Sequence, residues 1–260
     1  MTSPDRLDHH AEASHVRGWL KTIVDIALIL LVITIGKSAI AEPYYVPSGS
    51  MEPTLKIGDE LLATKYPYGY STASLPLFID IPATGRVVGA LPHRGDVVVF
   101  RSPADYSQIW VKRVIGLPGD RIAVRNGRVW INGKSVGLTP DGFGWDESED
   151  GSRQAVPQFI ETLPNGRKHL IFQESTDGPM DNMLEVSVPP GHLFVMGDNR
   201  DNSDDSRVPA SMGGVGFLPV ADLVGRVNVL LGSWDLATRH KPIWDWPSGL
   251  RLSRFFMTVH

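Results

Sequence analysis

The hydrophobic pattern divides the chain near residue 42. Residues 1–21 are polar and mix acids with bases, among them Asp5, Arg6, Asp8, Glu12, Arg17 and Lys21. From Thr22 to Ala41 the chain turns apolar, as TIVDIALILLVITIGKSAIA. A helix of that length spans roughly 30 Å, the thickness of a bilayer's hydrocarbon core. Lys37 can snorkel to one interface, and Asp25 falls near the opposite headgroups. The pattern predicts one transmembrane anchor over 22–41 following a cytoplasmic tail over 1–21. Arg17 and Lys21 flank its N-terminal side and place everything after Glu42 outside. A cleaved secretory leader competes, because Ala39-Ile40-Ala41 has the small-x-small form of a cleavage site. The apolar run is longer than a leader needs, several acids precede it and Pro43 follows closely, which favours the uncleaved anchor. A buried core helix is the third reading.

After Glu42 the helical period fades, and short apolar runs separated by turn residues take over. DVVVF (Asp96 to Phe100) and HLFVM (His192 to Met196) read as strands. Asn126-Gly127 lies between RIAV and RVWI, the flanked Asn-Gly pattern of a type I′ hairpin. Asn132-Gly133 ends the next strand, and Asn165-Gly166 separates FIETLP from RKHLIF. These turns predict a mainly β, antiparallel domain over 42–260. The stretch from about Leu138 to Pro189 is rich in Gly, Asp and Glu and carries its own hairpin, so it reads as an inserted β subdomain. LPLFIDIP (Leu75 to Pro82) reads as a buried strand or as a loop that dips into a membrane.

Composition narrows the function classes. The 26 Gly and 20 Pro are too many helix breakers for a bundle, in agreement with the strands. With 25 basic and 29 acidic residues the net charge is −4, so no basic face points to nucleic acid. Cys is absent, which excludes disulfides, thiolate metal sites and a Cys nucleophile. The acidic run GDNRDNSDDSR (Gly197 to Arg207) lacks the central Gly and closing Glu of an EF-hand loop. Gly214-Val215-Gly216 lacks the third Gly of a dinucleotide fingerprint. Neither a metal nor an organic cofactor is implied.

The remaining chemistry centres on serine and lysine. Ser50 is not in a G-x-S-x-G elbow, and none of the 8 His lies in a Gly-rich or Ser-rich constellation, which disfavours a His-based triad. A neutral amine can take a Ser proton instead. An ordinary Lys is neutral in only about one molecule in 2,500 at pH 7, but burial among apolar side chains lowers its pKa. Lys112 sits in IWVKRVIGLPGD, with Ile109, Trp110, Val111, Val114 and Ile115 available to bury it. On an alternating strand Lys112 and Arg113 point to opposite faces, so one can be buried and the other solvated.

PSGSMEPTL (Pro47 to Leu55), RGDVVVF (Arg94 to Phe100), KRVIGLPGD (Lys112 to Asp120) and GDNRDNSDDSR follow the apolar span in that order. Together they resemble the boxes of the bacterial type I signal peptidases (leader peptidases), over most of the chain from about Tyr44 to Arg226. WPSGLRLSR (Trp246 to Arg254) resembles a family C-terminus. The resemblance implies a membrane-bound serine endopeptidase on a signal-peptidase-like antiparallel β fold. Ser50 would be the nucleophile and Lys112 the general base. Ser203 would orient the lysine amine, and Ser48 would join the Ser50 backbone N–H in an oxyanion hole. Asp205 and Arg207 would form a supporting ion pair. Val46, Pro47, Leu55, Trp110 and Val111 would line shallow apolar pockets for small side chains, hence cleavage after Ala-x-Ala.

The implied partners are the signal peptides of exported preproteins, membrane lipid and the export translocon. The implied location is the bacterial cytoplasmic membrane, with a single span and the catalytic domain on the outer (periplasmic) face. The two spans of some family members are not implied, because this chain shows one. Two alternatives stand beside this reading. One is a different Ser/Lys peptidase, such as a self-cleaving repressor. The other is a non-catalytic, membrane-tethered β domain in which Ser50 is inert.

Overall fold

The computed structural model describes residue 19 and residues 21–29, 40–74, 85–86, 89–148, 150–236, 238 and 242–259. The chain forms two compact units, Met1–Ile40 and Ala41–His260. In the first, Trp19, residues 21–29 and Ile40 are helical. Among the described residues no helix is long and apolar enough to cross a membrane. Residues 30–39 of the expected anchor lie outside the described residues, as does the apolar segment 75–82. Ala41, expected to end the anchor, instead opens a strand, because its backbone pairs with Thr64.

The second unit is built from strands. In chain order they are β1 (Ala41–Tyr45), β2 (Asp59–Thr64), β3 (Val97–Arg101), β4 (Ile109–Gly116), β5 (Arg121–Arg125), β6 (Arg128–Ile131) and β7 (Lys134–Ser135). There follow β8 (Gly137–Glu147), β9 (Arg153–Thr162), β10 (Lys168–Phe172), β11 (Met183–Ser187), β12 (His192–Met196), β13 (Leu218–Pro219) and β14 (Leu223–Ser233). The main sheet runs β1-β2-β14-β3-β4-β12-β13, with a second sheet β10-β9-β8 and a third β11-β5-β6-β7. Every pairing of these strands is antiparallel. The expected insertion does not stay together: β8 to β10 form their own sheet, whereas β11 pairs with β5.

β3 shows why DVVVF is continuously apolar rather than alternating. It lies between β14 and β4, and all five of its residues are buried. Val97 and Val99 enter one apolar cluster with Met51, Leu55, Leu61 and Leu230. Val98 and Phe100 enter another with Val114, Val195 and Leu218, so the strand is covered on both faces. Burying each such side chain contributes about 1.5–3 kcal/mol. HLFVM forms β12 as the pattern predicts.

The turns follow local chemistry. Asn126 and Gly127 have φ of 49° and 71°, and Asn132 and Gly133 have 52° and 78°. Positive φ at both positions is the type I′ requirement, and Asn and Gly meet it with little strain. The Asn165-Gly166 connection differs: only Gly166 has positive φ, in a longer loop closed by the Leu163 N–H on the Arg167 carbonyl.

Candidate active site

Ser50 stands in a single 3-10 turn, Gly49–Met51, on the connection from β1 to β2. The Glu52 N–H closes this turn on the Gly49 carbonyl at 3.0 Å. Ser48 precedes it in extended conformation, exposed, with no capping bond from its hydroxyl. Lys112 comes from the middle of β4, and its Nζ lies 2.6 Å from Ser50 Oγ across 62 positions of sequence.

Sheet register explains the burial of Lys112. Its cross-strand partner is Val98, and residues directly opposite share a face. Trp110 and Val114, two positions away on either side, lie on that face and belong to the same apolar cluster. Lys112 is 4% exposed. Burial pulls its amine down to about 8, against Asp205 and Asp204, which favour the charged form. At that value roughly a tenth of the amine is neutral at pH 7.

The loop after β12 brings the third group. Gly197 permits the approach: a Cβ there would lie 2.2 Å from Ser203 Oγ and 2.4 Å from the Ser50 carbonyl oxygen. Ser203 Oγ is buried and has no hydrogen-bond partner among the described residues, so the expected bond to Lys112 is not formed in this structure. Asp205 takes Arg207 in a fork, at 2.9 Å from Nε and 2.8 Å from a terminal nitrogen, and accepts the Gly197 N–H at 3.0 Å. Burial would push Asp205 up, but Arg207 holds it below the usual carboxylate range. Ser48, Ser50, Lys112 and Ser203 share one cleft of about 710 Å³, which Val46, Pro47, Leu55, Trp110 and Val111 also line.

The profile of the family described as Signal peptidase, peptidase S26, matches residues 16–234. The chain belongs to the signal peptidase family. A signal peptidase I of Rickettsia typhi is 38% identical, covering 92% of this chain and 90% of its own. One of Rickettsia prowazekii is 35% identical, covering 98% and 97%. The crystal structure of a signal peptidase I from Enterococcus faecalis is 27% identical and covers 53% of this chain and 97% of its own, with a TM-score of 0.30. Family membership makes this chain a peptide hydrolase and removes the reading as a non-catalytic domain.

Other parts of this signal peptidase depart from the sequence expectations. Arg113 is not the solvated neighbour of a buried Lys112; it is 1% exposed. Its guanidinium takes Asp198 in a fork with both bonds at 2.8 Å and donates to the Gly95 carbonyl at 2.8 Å. Asp198 also accepts the Thr54 hydroxyl, so the pair joins β4, the Ser50 segment and the β12 loop. Beside it Arg200 forks onto Glu161 at 2.9 and 2.7 Å, with His169 Nε2 3.2 Å from the same carboxylate. The Gly197–Arg207 segment contains Asp198 and Arg200, and their partners lie far away in sequence: Arg113 inside KRVIGLPGD, 85 positions from Asp198, and Glu161, in none of the four motifs, 39 positions from Arg200.

The C-terminal segment fastens the loop after Ser50. Arg254 donates to Asp59 Oδ1 and to the Thr54 carbonyl, each at 2.9 Å. Arg251 donates to the Ile57 carbonyl at 2.8 Å and pairs with Glu147. WPSGLRLSR thus holds the β1–β2 connection in place.

Proposed function

We propose that this chain removes signal peptides from exported preproteins, cutting after Ala-x-Ala sites with Ser50 as nucleophile and Lys112 as general base. The observation that carries this reading is the 2.6 Å contact between Ser50 Oγ and a buried Lys112 amine in an open cleft. Neutral Lys112 takes the Ser50 proton as Oγ attacks the scissile carbonyl. The Ser50 N–H and the Ser48 hydroxyl receive the oxyanion. The intermediate then expels the amine of the mature protein, which leaves with the proton held by Lys112. The Lys112 amine, neutral again, next activates the water that hydrolyses the acyl-enzyme. Ser203, buried beside Lys112 with its hydroxyl unengaged, is available to hold the amine once it turns from Ser50. Val46, Pro47, Leu55, Trp110 and Val111 accept the small side chains before the bond.

A membrane-borne substrate suits the chain. The apolar run 22–41 ends about nine residues before Ser50. Trp244, Trp246, Leu252 and Phe256 are exposed near the C-terminus and are suited to rest on lipid on the outer face of the cytoplasmic membrane. The export translocon would deliver the substrate there.

The test is cleavage of a preprotein in detergent or liposomes, with the cut mapped by mass spectrometry. A cut after Ala-x-Ala supports the reading, and an intact preprotein overturns it. Because burial lowers the Lys112 pKa, kcat/KM should rise with pH through about 8 as the amine loses its proton. A rising limb left near 10.4 would mean that the base is not desolvated. Ser48→Ala should lower kcat by roughly 10²-fold, about 3 kcal/mol, with KM little changed. An unchanged kcat would remove Ser48 from the oxyanion hole.

A further inference from the structure

Directly behind the Ser50 turn lie two carboxyl groups that the proposed chemistry does not use. Glu52, two residues after Ser50, is completely buried. Its Oε2 accepts the Glu147 backbone N–H at 2.9 Å, while Oε1 is buried and makes no hydrogen bond among the described residues. Asp146, next to Glu147 at the end of β8, is its carboxyl neighbour. A Cβ on Gly49 would meet the Glu147 carbonyl at 3.3 Å, Asp146 Oδ1 at 3.5 Å and Glu52 Cδ at 3.8 Å. Both acids therefore lie close to the same point of the turn, at Gly49. Asp146 Oδ1 also accepts Asn199 Nδ2 at 2.8 Å, and the Asn199 backbone N–H donates to the Ser50 carbonyl at 3.2 Å. The two acids connect the Ser50 turn, the end of β8 and the loop that carries Ser203.

Two carboxylates in that position would repel, because Glu52 is fully buried and Asp146 partly so. Burial pushes Glu52 up to about 8; Asp146 and Glu147 add to the rise, while the Glu147 N–H and Lys56 oppose it. Burial also raises Asp146, against the neighbouring Glu52 carboxyl and the Asn199 amide. The cations around the pair are directed at Glu147: Lys56 at 3.1 Å, Arg153 at 3.3 Å, and Arg251. A proton on Glu52 Oε1 gives that atom a donor for the Asp146 carboxylate.

We propose, resting on the Ser50–Lys112 reading, that Glu52 and Asp146 share one proton and act as a positioning pair that locks the Ser50 turn against β8. Losing that proton sets two negative charges against each other behind Gly49 and moves Oγ off the lysine amine. Cleavage then requires opposite states in two places: Lys112 without its proton, the carboxyl pair with one. The profile of kcat/KM against pH is accordingly bell-shaped, falling about tenfold per pH unit once the pair ionises.

The experiment follows kcat/KM of the full chain in detergent from roughly pH 6 to 10.5, on a peptide with no group titrating there. Wild type, Glu52→Gln, Asp146→Asn and Ser50→Ala are compared. Either amide places a non-titrating N–H where the shared proton lay. Both amide variants should keep the rising limb and lose the falling one. They should exceed wild type about tenfold one pH unit past its falling midpoint. A wild type with no falling limb, or folded variants that retain it, overturns the proposal. If one variant does not fold, the other decides. If neither folds, the infrared band of a protonated carboxyl in wild type decides, persisting at neutral pH and vanishing along the falling limb if the pair exists, absent if it does not. A Ser50→Ala variant that still cleaves defeats the nucleophile assignment and this inference together. An inactive Ser50→Ala with an unmoved falling limb in the amide variants defeats this inference alone.

Discussion

Ser50→Ala and Lys112→Ala should each abolish preprotein cleavage, lowering kcat by about 10⁶-fold, the scale seen when a serine hydrolase loses its nucleophile or base. The losses should be equal and non-additive, because either change ends the same proton transfer. Ser50 without its hydroxyl has no atom to attack with. Lys112 without its amine leaves Ser50 Oγ with no base at 2.6 Å. Lys112→Arg should fail as fully, since a guanidinium keeps its proton at any accessible pH. The measurement is preprotein cleavage in liposomes, with circular dichroism showing that each variant remains folded. A folded Lys112→Ala that still cleaves would refute the general-base role. The self-cleaving-repressor alternative makes a different forecast, namely cleavage of its own chain rather than of a preprotein.

Asp198→Ala should cost about 3–5 kcal/mol of stability, because it leaves the Arg113 guanidinium buried without its carboxylate. In a domain of this size that lowers Tm by roughly 6–20 °C. Asp198→Asn keeps the shape and one acceptor, so its loss should be smaller. The effect has a defined pH sense. Burial raises the Asp198 pKa, but Arg113 outweighs it and holds the carboxyl below its usual value. The pair therefore stabilises the fold above about pH 4 and is lost as pH falls through the depressed native value. Urea unfolding of wild type and both variants checks this, and an Asp198→Ala midpoint equal to wild type would show that the ion pair is not structural. Activity should fall with stability, because the adjacent Gly197 and Asn199 meet the Ser50 backbone.

How far the chain could be read depends on the range of each interaction. The Asn126-Gly127 and Asn132-Gly133 turns were legible because positive φ is a demand on the residue itself. HLFVM and DVVVF were legible as strands, although only tertiary structure explains why the second is buried on both faces. Period-2 alternation put Lys112 and Arg113 on opposite faces, and it could not say that a carboxylate waits on the second face. Asp198 does, 85 positions away, and so Arg113 is buried rather than solvated. The same limit hid Glu52, whose contact with the end of β8 lies 95 positions along the chain.

By itself the sequence determined the β class, the local hairpins, the family and the residues able to supply a hydroxyl and an amine. Those properties reside in short segments, where side-chain chemistry and φ preference act over a few bonds. The tertiary structure decided the 2.6 Å approach of Ser50 and Lys112, the desolvation that brings the amine to about 8, and the buried acids and cations behind the turn. Those properties depend on distance and on water exclusion between segments far apart in the chain, and both come into being only when the sheets close.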